Sequence, residues 1–312
     1  MALTTGTASH QNDLLADLRT WLVGTVGWTE LEYTAGSLAT DVATLSVEGP
    51  GGGVNRRVYI NIETGNDVGS SLYYWKIMGA TGWDSGVGHD SQPGAGGTCY
   101  YNLWQNSIDY RFYANDRRFI IGSLVSSSSM TMYAGFFLPF ALPSEYPFPL
   151  ACIASYPEPA LYSLANARNS AIDNPGSDGA AWYRRRSTEE WVQLANQDNS
   201  TSAWDTETGE RAFVWPKVTG RAEGTFQSGA NYWSSSGFYV LKPNANNEFP
   251  LIQAHIFDGE AGQVVGALEG VYSTGGLNRS HGQLVSLGGR DFRLLQRAHR
   301  DGPADFLAVE EI

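Results

Sequence analysis

The stretch GALEGVYSTGGLNRSHGQLVSLGGRDFRLLQRAHRDGPADFLAVEEI, residues Gly266–Ile312, decides the fold class. It is a series of short apolar runs cut by glycine. Gln283–Leu287 (QLVSL) and Asp291–Gln296 (DFRLLQ) flank the pair Gly288 and Gly289. Two such runs around a Gly-Gly pair read as a β-hairpin, because both turn residues must adopt positive φ. A third run, Asp305–Val309 (DFLAV), follows a turn at Asp301, Gly302 and Pro303. Short strands with tight reversals predict antiparallel sheet.

The same texture extends upstream. Val42–Val47, Arg57–Glu63, Leu72–Met78, Ile108–Tyr113, Arg118–Val125, Met130–Phe137, Phe238–Leu241 and Ile252–Phe257 read as strands. Where they alternate with period two, one face is buried and the other solvated. Asn115 and Asp116 suit a hairpin turn because both tolerate positive φ. Ala181–Arg186 and Glu190–Leu194 form another hairpin around Ser187–Glu189. The segment Gly79–Thr98, rich in Gly, Ser and Asp, reads as a long exposed loop. Leu138–Pro149 holds four prolines, which supply no ladder donors, so it reads as an extended connector over apolar surface. Within it, Phe136–Pro143 (FFLPFALP) is expected to be buried, under the chain's own loops or under a neighbour.

One segment has helical period. Leu14, Leu15, Leu18, Trp21 and Leu22 share a face, with Ser9 as the expected N-cap, a span of about 9–23, and Gly24 and Gly27 bounding its end. The fold class expected is therefore mainly β: antiparallel, β-sandwich-like sheets with one N-terminal amphipathic helix and long loops. Residues 1–156 read as a helix plus β-sheet domain. Residues 157–312 read as a loop-rich β region with the C-terminal hairpin, and a single sheet system with a long excursion is equally compatible. No clean internal repeat appears, which disfavours a propeller or solenoid.

Composition bounds the partners. The 312 residues carry a net charge of −12, so no nucleic acid partner is expected. The basic clusters Arg56-Arg57, Arg117-Arg118 and Arg184–Arg186 read as arginines on the exposed face of a strand or pairing with an acidic neighbour subunit. Cys99 and Cys152 make no disulfide framework and are expected as free, buried thiols. The opening MALTTGTASHQNDLL lacks a basic region followed by an apolar stretch, so no signal peptide is expected. No run approaches 18 apolar residues, so no membrane insertion is expected.

Several segments carry a resemblance. GFFLP at Gly135–Pro139 with PSEYP at Pro143–Pro147 is the most specific. GTVGW at Gly24–Trp28 adds to it, as does Tyr73–Trp75 leading to GATGWD at Gly79–Asp84. So do RFYAN at Arg111–Asn115 with Arg118–Ile120, Gly270–Tyr272, Gly288 and Gly289, Leu295–Arg297, and Asp305 with Phe306. Together they resemble virion structural proteins of tailed bacteriophages, of the tail, baseplate or neck. The matches touch much of 10–150 and 250–310 and little of 160–250. The resemblance implies a particle subunit assembled in the host bacterial cytoplasm, with itself and other virion proteins as partners. It supplies no catalytic residues.

The residues themselves name no enzyme. GPGGG at Gly49–Gly53 lacks the Lys-Ser/Thr of a phosphate-binding loop and reads as a turn. G-x-S-x-G and H-E-x-x-H are absent. His10, His89, His255, His281 and His299 are scattered with no helical metal-ligand spacing; distant residues can still meet in a fold, and His281 and His299 flank the hairpin and could approach each other. Asp84, Asp90, Asp205, Glu207 and Glu210 lie in loops near tryptophans and read as solvated charges. No catalytic residue, cofactor or metal is expected. Trp28, Trp75, Trp182 and Trp191 lie in strand-like runs and read as core. Trp83, Trp104, Trp204 and Trp233 stand beside Gly, Asn, Asp and Ser. They suit packing within the subunit, contact between subunits, or stacking on a host surface glycan. The leading expectation is a structural component acting through subunit contacts. A glycan- or receptor-binding adhesin module is the alternative, and a polysaccharide depolymerase a weaker one, because its carboxylate pair cannot be located.

Overall fold

The computed structural model describes residues 1–53, 56–125, 128–154, 181–194, 213–215, 248, 250–258, 262–275, 279–296 and 306–311. The Phe238–Leu241 strand expectation lies outside them, as do His299, Asp205, Glu207 and Glu210. Every strand pair among the described residues is antiparallel. The chain opens with β1 (Ala2–Ala8) and the helix α1 (Gln11–Trp21). A five-strand meander follows: β2 (Thr29–Thr34), β3 (Thr44–Gly49), β4 (Val58–Asp67), β5 (Leu72–Ala80) and β6 (Cys99–Leu103). Next come β7 (Ile108–Ala114), β8 (Arg118–Val125), β9 (Ser128–Phe136), β10 (Leu138–Pro139), β11 (Leu150–Ile153), β12 (Ala181–Arg184) and β13 (Trp191–Gln193). The last are β14 (Phe213–Trp215), β15 (Ile252–Asp258), β16 (Gln263–Thr274), β17 (Leu284–Leu287), β18 (Arg290–Gln296) and β19 (Phe306–Glu311).

The strands form three sheets in layers. The meander β2-β3-β4-β5-β6 is one outer layer. The central sheet runs β1-β7-β8-β9-β11-β12-β13, so it draws strands from both sides of residue 156. The other outer sheet runs β14-β15-β16-β19-β18-β17, with β10 pairing onto β16. The middle of the central sheet is buried on both faces. Along β8, Phe119 and Ile121 enter the core shared with the meander and α1, while Ile120 enters the core shared with the β14–β19 sheet. Along β7, Phe112 and Tyr113 divide in the same way. Period-two side chains explain why an antiparallel strand here reads as a nearly continuous apolar run. A smaller cluster, Phe292, Leu294, Phe306 and Ala308, lies on the remaining face of the last sheet.

The C-terminal hairpin forms as its sequence predicts. Leu287 pairs with Arg290, and Gly288 and Gly289 have φ of 60° and 78°, the two positive values a two-residue turn requires. The final strand β19 pairs with both β16 and β18 and so closes the sheet. Cys99 and Cys152 are free and buried, and Cys99 Sγ donates to the Cys152 carbonyl at 2.8 Å. Burial raises both thiols, Cys152 to about 12. Trp28 and Trp75 are core, while Trp182 and Trp191 are half-buried against it.

Five details differ from the sequence reading. The helix cap is His10, not Ser9: the His10 ring nitrogen accepts from Asn12 N and Asp13 N, while Ser9 Oγ donates to the Asp13 carboxylate. Beyond Trp21 the helix widens into a π-helical turn, Leu22–Val26, so Gly24 lies inside it and Gly27, at φ 87°, ends it. The Ala114–Asp116 turn does not use positive φ. Instead Asn115 Oδ1 accepts from the backbone N–H of Arg117 at 2.9 Å and Arg118 at 3.2 Å, an Asx-type turn. The strands β1, β2 and β6 carry too few apolar residues, or sit too close to glycine-rich loops, to be picked out by pattern. Finally, only part of Phe136–Pro143 is buried, as described next.

Candidate functional site

Phe136 ends β9 and Phe137 follows it, and they point to opposite faces, Phe136 into the meander-side core and Phe137 into the other. Phe137 is 1% exposed, and its ring meets Tyr146 edge to face at a centroid distance of 5.6 Å. Its space exists because Gly266 has no side chain: a Cβ there would stand 2.5 Å from the Phe137 ring. Leu138 and Pro139 pair with Ala267 and Gly266 on β16. Proline is tolerated at this two-residue edge pairing because it need not donate. The chain then turns outward. Phe140 is 61% exposed and Leu142 is 63% exposed, so of the two expected covers, the chain's own loops and a neighbour, the first does not bury them. Their side chains cannot turn inward, because Phe137 and Tyr146 already fill the core position between the sheets.

The excursion is held at both ends. Phe140 N donates to Val265 O at 3.0 Å, and the N–H groups of Glu145 and Tyr146 return to Leu142 O at 2.9 and 3.0 Å. Tyr146 is 1% exposed, and its hydroxyl donates to the Arg184 carbonyl. Val264, also exposed, stands beside Phe140 on the rim of a small cleft of about 130 Å³. At the cleft wall Arg185 and Asp258 form a buried, two-pronged pair: Nε to Oδ2 at 2.8 Å and Nη2 to Oδ1 at 3.2 Å. The Tyr183 hydroxyl donates to the same carboxylate. Burial works against the Arg185 charge, but the bonds to Tyr183 and Asp258 outweigh it and raise the guanidinium above its ordinary range. Burial and the Asp258 bond likewise raise Tyr183. At the rim Arg186 faces Glu145 at 3.6 Å. The arrangement is an apolar knob on a fixed base, ringed by paired charges, and it can seat a complementary surface without rearranging.

The tryptophan candidates separate. Trp204 and Trp233 lie outside the described residues. Trp104 is half-buried against the meander-side core, which leaves only part of its ring to any partner. Trp83 is half-buried and meets the His89 ring edge to face at 6.4 Å. The Gly79–Thr98 segment around it is organised, not merely exposed. The buried Gln92 side chain accepts from Asp84 N at 2.8 Å and donates to the carbonyls of Asp84 and Val87 at 3.0 and 3.1 Å. His89 lies 3.4 Å from Ser46 Oγ, so the loop folds over the outer face of the meander. This loop and the knob are brought to different sheets. Asp84 and Asp90 remain exposed loop charges.

Several arginines of the three clusters pair with carboxylates of their own chain. Arg57 meets Glu48 at 2.8 Å, Arg117 meets Glu269, and Arg184 meets Glu189 at 2.8 Å. Arg118 is instead buried between the sheets, and burial lowers its pKa. Among the described residues no group of three His, Cys, Asp or Glu is placed to hold a metal ion. No described helix is long and apolar enough to cross a membrane. No protein-family model matches the chain, and no curated protein matches it. The knob was hidden from the sequence by its own composition. Apolar residues between prolines read as buried, and only the three-dimensional competition for one core position separates Phe137 from Phe140.

Proposed function

We propose that the chain is a structural subunit of a tailed-phage particle, in the tail, baseplate or neck, acting through subunit contacts centred on the Phe140–Leu142 knob. One observation carries this reading. Two large apolar side chains, Phe140 and Leu142, are more than 60% exposed on a segment pinned by the buried Phe137 and Tyr146. A preordered aromatic anchor surrounded by polar groups is the form that interface hot spots take, since little ordering entropy remains to be lost on binding. The same segment, GFFLP with PSEYP, is also where the resemblance to phage virion proteins is most specific. Single exposed apolar side chains are ordinary, but Phe140 and Leu142 stand two residues apart with the exposed Val264 beside Phe140, and grouped apolar exposure marks contact sites.

Antibody labelling of purified particles by electron microscopy tests the reading directly. Label at a defined level of the tail or neck is expected. Particles that carry no label, while the antibody binds the isolated chain, would remove the proposal. A chain carrying Phe140→Ser and Leu142→Ser is expected to fold but to be lost from particles in which the parent is incorporated.

A further inference from the structure

The central sheet extends beyond the outer sheet at one corner, and its exposed rows change character there. Leu3, Tyr113 and Ile120 lie in one cross-strand row, and Tyr113 and Ile120 are covered by the β14–β19 sheet. The next row is Thr5, Arg111 and Gly122, and the one after it Thr7, Asp109 and Leu124. Residues two apart on a strand share a face, so Thr5, Thr7, Asp109 and Arg111 form a polar floor. Leu295, Gly282 and His281, at the base of the C-terminal hairpin, form the wall. The groove between them has a volume of about 460 Å³. Such a volume is in the range of small-ligand sites, roughly 300–1,000 Å³.

Most described arginines are paired with a carboxylate; Arg56 and Arg118 are not, and burial lowers the pKa of both. Arg19, Arg57, Arg117, Arg184, Arg290 and Arg293 each have a carboxylate within ion-pair distance. Arg111 is half-buried in the groove and has neither an ion pair nor a hydrogen bond among the described residues. Its guanidinium reaches across to the wall, about 4.0 Å from where a Cβ at Gly282 would stand, so the glycine leaves it room. Asp109, two residues away on the same face, accepts from Thr7 Oγ1 at 2.6 Å and keeps further lone pairs open to the groove. The floor therefore offers a planar donor fork, a carboxylate acceptor and two hydroxyls, while Tyr113 on the same face is buried under the outer sheet and the His281 ring stands at the wall.

We infer that this groove is a binding site for a carboxylated sugar, a uronic-acid residue of a surface polysaccharide. Its carboxylate would take the Arg111 fork in two parallel hydrogen bonds, the geometry that favours arginine for this group. Its hydroxyls would donate to Asp109 and exchange hydrogen bonds with Thr5 and Thr7. A neutral sugar leaves Arg111 unmatched. A simple carboxylate leaves the remaining lone pairs of Asp109 unfilled. The site goes beyond the assembly reading and shares no residue with the knob, so either can fail alone.

The test uses the purified chain and titration calorimetry or ligand-observed NMR with a glucuronic-acid oligosaccharide, a glucose oligosaccharide of equal length, acetate, and a glutamate-rich peptide. Glucuronate is expected to bind at least tenfold more tightly than glucose or acetate. Arg111→Gln is expected to weaken it at least tenfold, and Asp109→Ala several-fold without weakening acetate. Both residues are partly or fully exposed and tied to no core group, so unchanged thermal unfolding should confirm that the variants fold. Equal binding of glucose and glucuronate, or glucuronate binding indifferent to Arg111→Gln, overturns the site. Preference for the acidic peptide overturns the sugar and makes the groove a protein contact.

Discussion

Phe137 and Phe140 are the same residue type three positions apart, and the fold treats them in opposite ways. Phe137 is sealed between the central sheet and the last sheet, with Tyr146 against its ring and Gly266 beneath it. Phe140 stands in solvent on a segment that Phe137 and Tyr146 hold in place. Burial is therefore not a property of the apolar string but of the space available. Once two rings occupy the position between the sheets, the remaining apolar residues of a proline-bounded segment have nowhere to go but outward. The inner half supplies stability, and the outer half receives from it a fixed conformation.

Replacing the inner ring should have the largest effect. Phe137→Asp removes an apolar contact and places a carboxylate between two sheets with no partner for it. Burying a Phe side chain contributes about 1.5–3 kcal/mol, and an unpaired buried charge costs more than that. The sum approaches the whole stability of a typical domain, about 5–15 kcal/mol. Loss of soluble, cooperatively unfolding protein is expected. A Phe137→Asp chain that stays soluble with a sharp thermal transition would erase the distinction between the two halves.

The polar wall of the cleft sharpens the comparison from another side. Asp258 is 1% exposed and holds Arg185 in two bonds, with Tyr183 donating to the same oxygen. Asp258→Ala would leave a buried guanidinium and a buried hydroxyl without that acceptor. Breaking a buried pair from one side costs about 3–5 kcal/mol. Denaturant unfolding should show a drop of that size with an unchanged slope. A change under about 1 kcal/mol would mean that water reaches Arg185 and that the knob rests on a softer base than its contacts indicate.

How much of this was legible in the sequence follows from which forces are local. The Gly288-Gly289 hairpin was legible because positive φ is a property of the residues in the turn. The α1 stripe was legible because it needs only a 3.6-residue period. Its cap was misplaced by one residue, since a histidine ring nitrogen can accept from Asn12 and Asp13 as a serine oxygen would. The strand β1 was not legible: Thr5 and Thr7 face a half-open groove, and such an edge needs no apolar stripe. Of the four tryptophans singled out, two lie in the described residues, and both are half-buried against their own chain. The groove at Arg111 and the knob at Phe140 depend on pairings across more than a hundred positions, Gly122 to Leu295 and Phe137 to Gly266, that no local pattern encodes.

The smallest expected effect on stability belongs to the outer half, and it is the most telling. Phe140 and Leu142 keep more than 60% of their surface in water, so Phe140→Ser with Leu142→Ser withdraws little buried area. Phe140 does lie 5.8 Å from the His255 ring, a glancing contact, and its backbone bond to Val265 survives any side-chain change. Surface substitutions of this kind stay within about 0.5 kcal/mol. The denaturation midpoint should therefore match the parent, and removing two apolar groups should reduce concentration-dependent self-association in sedimentation if the knob is an interface. If the pair instead costs several kcal/mol, the knob is packed by parts of its own chain, Phe140 belongs with Phe137, and the contrast between anchor and tip dissolves.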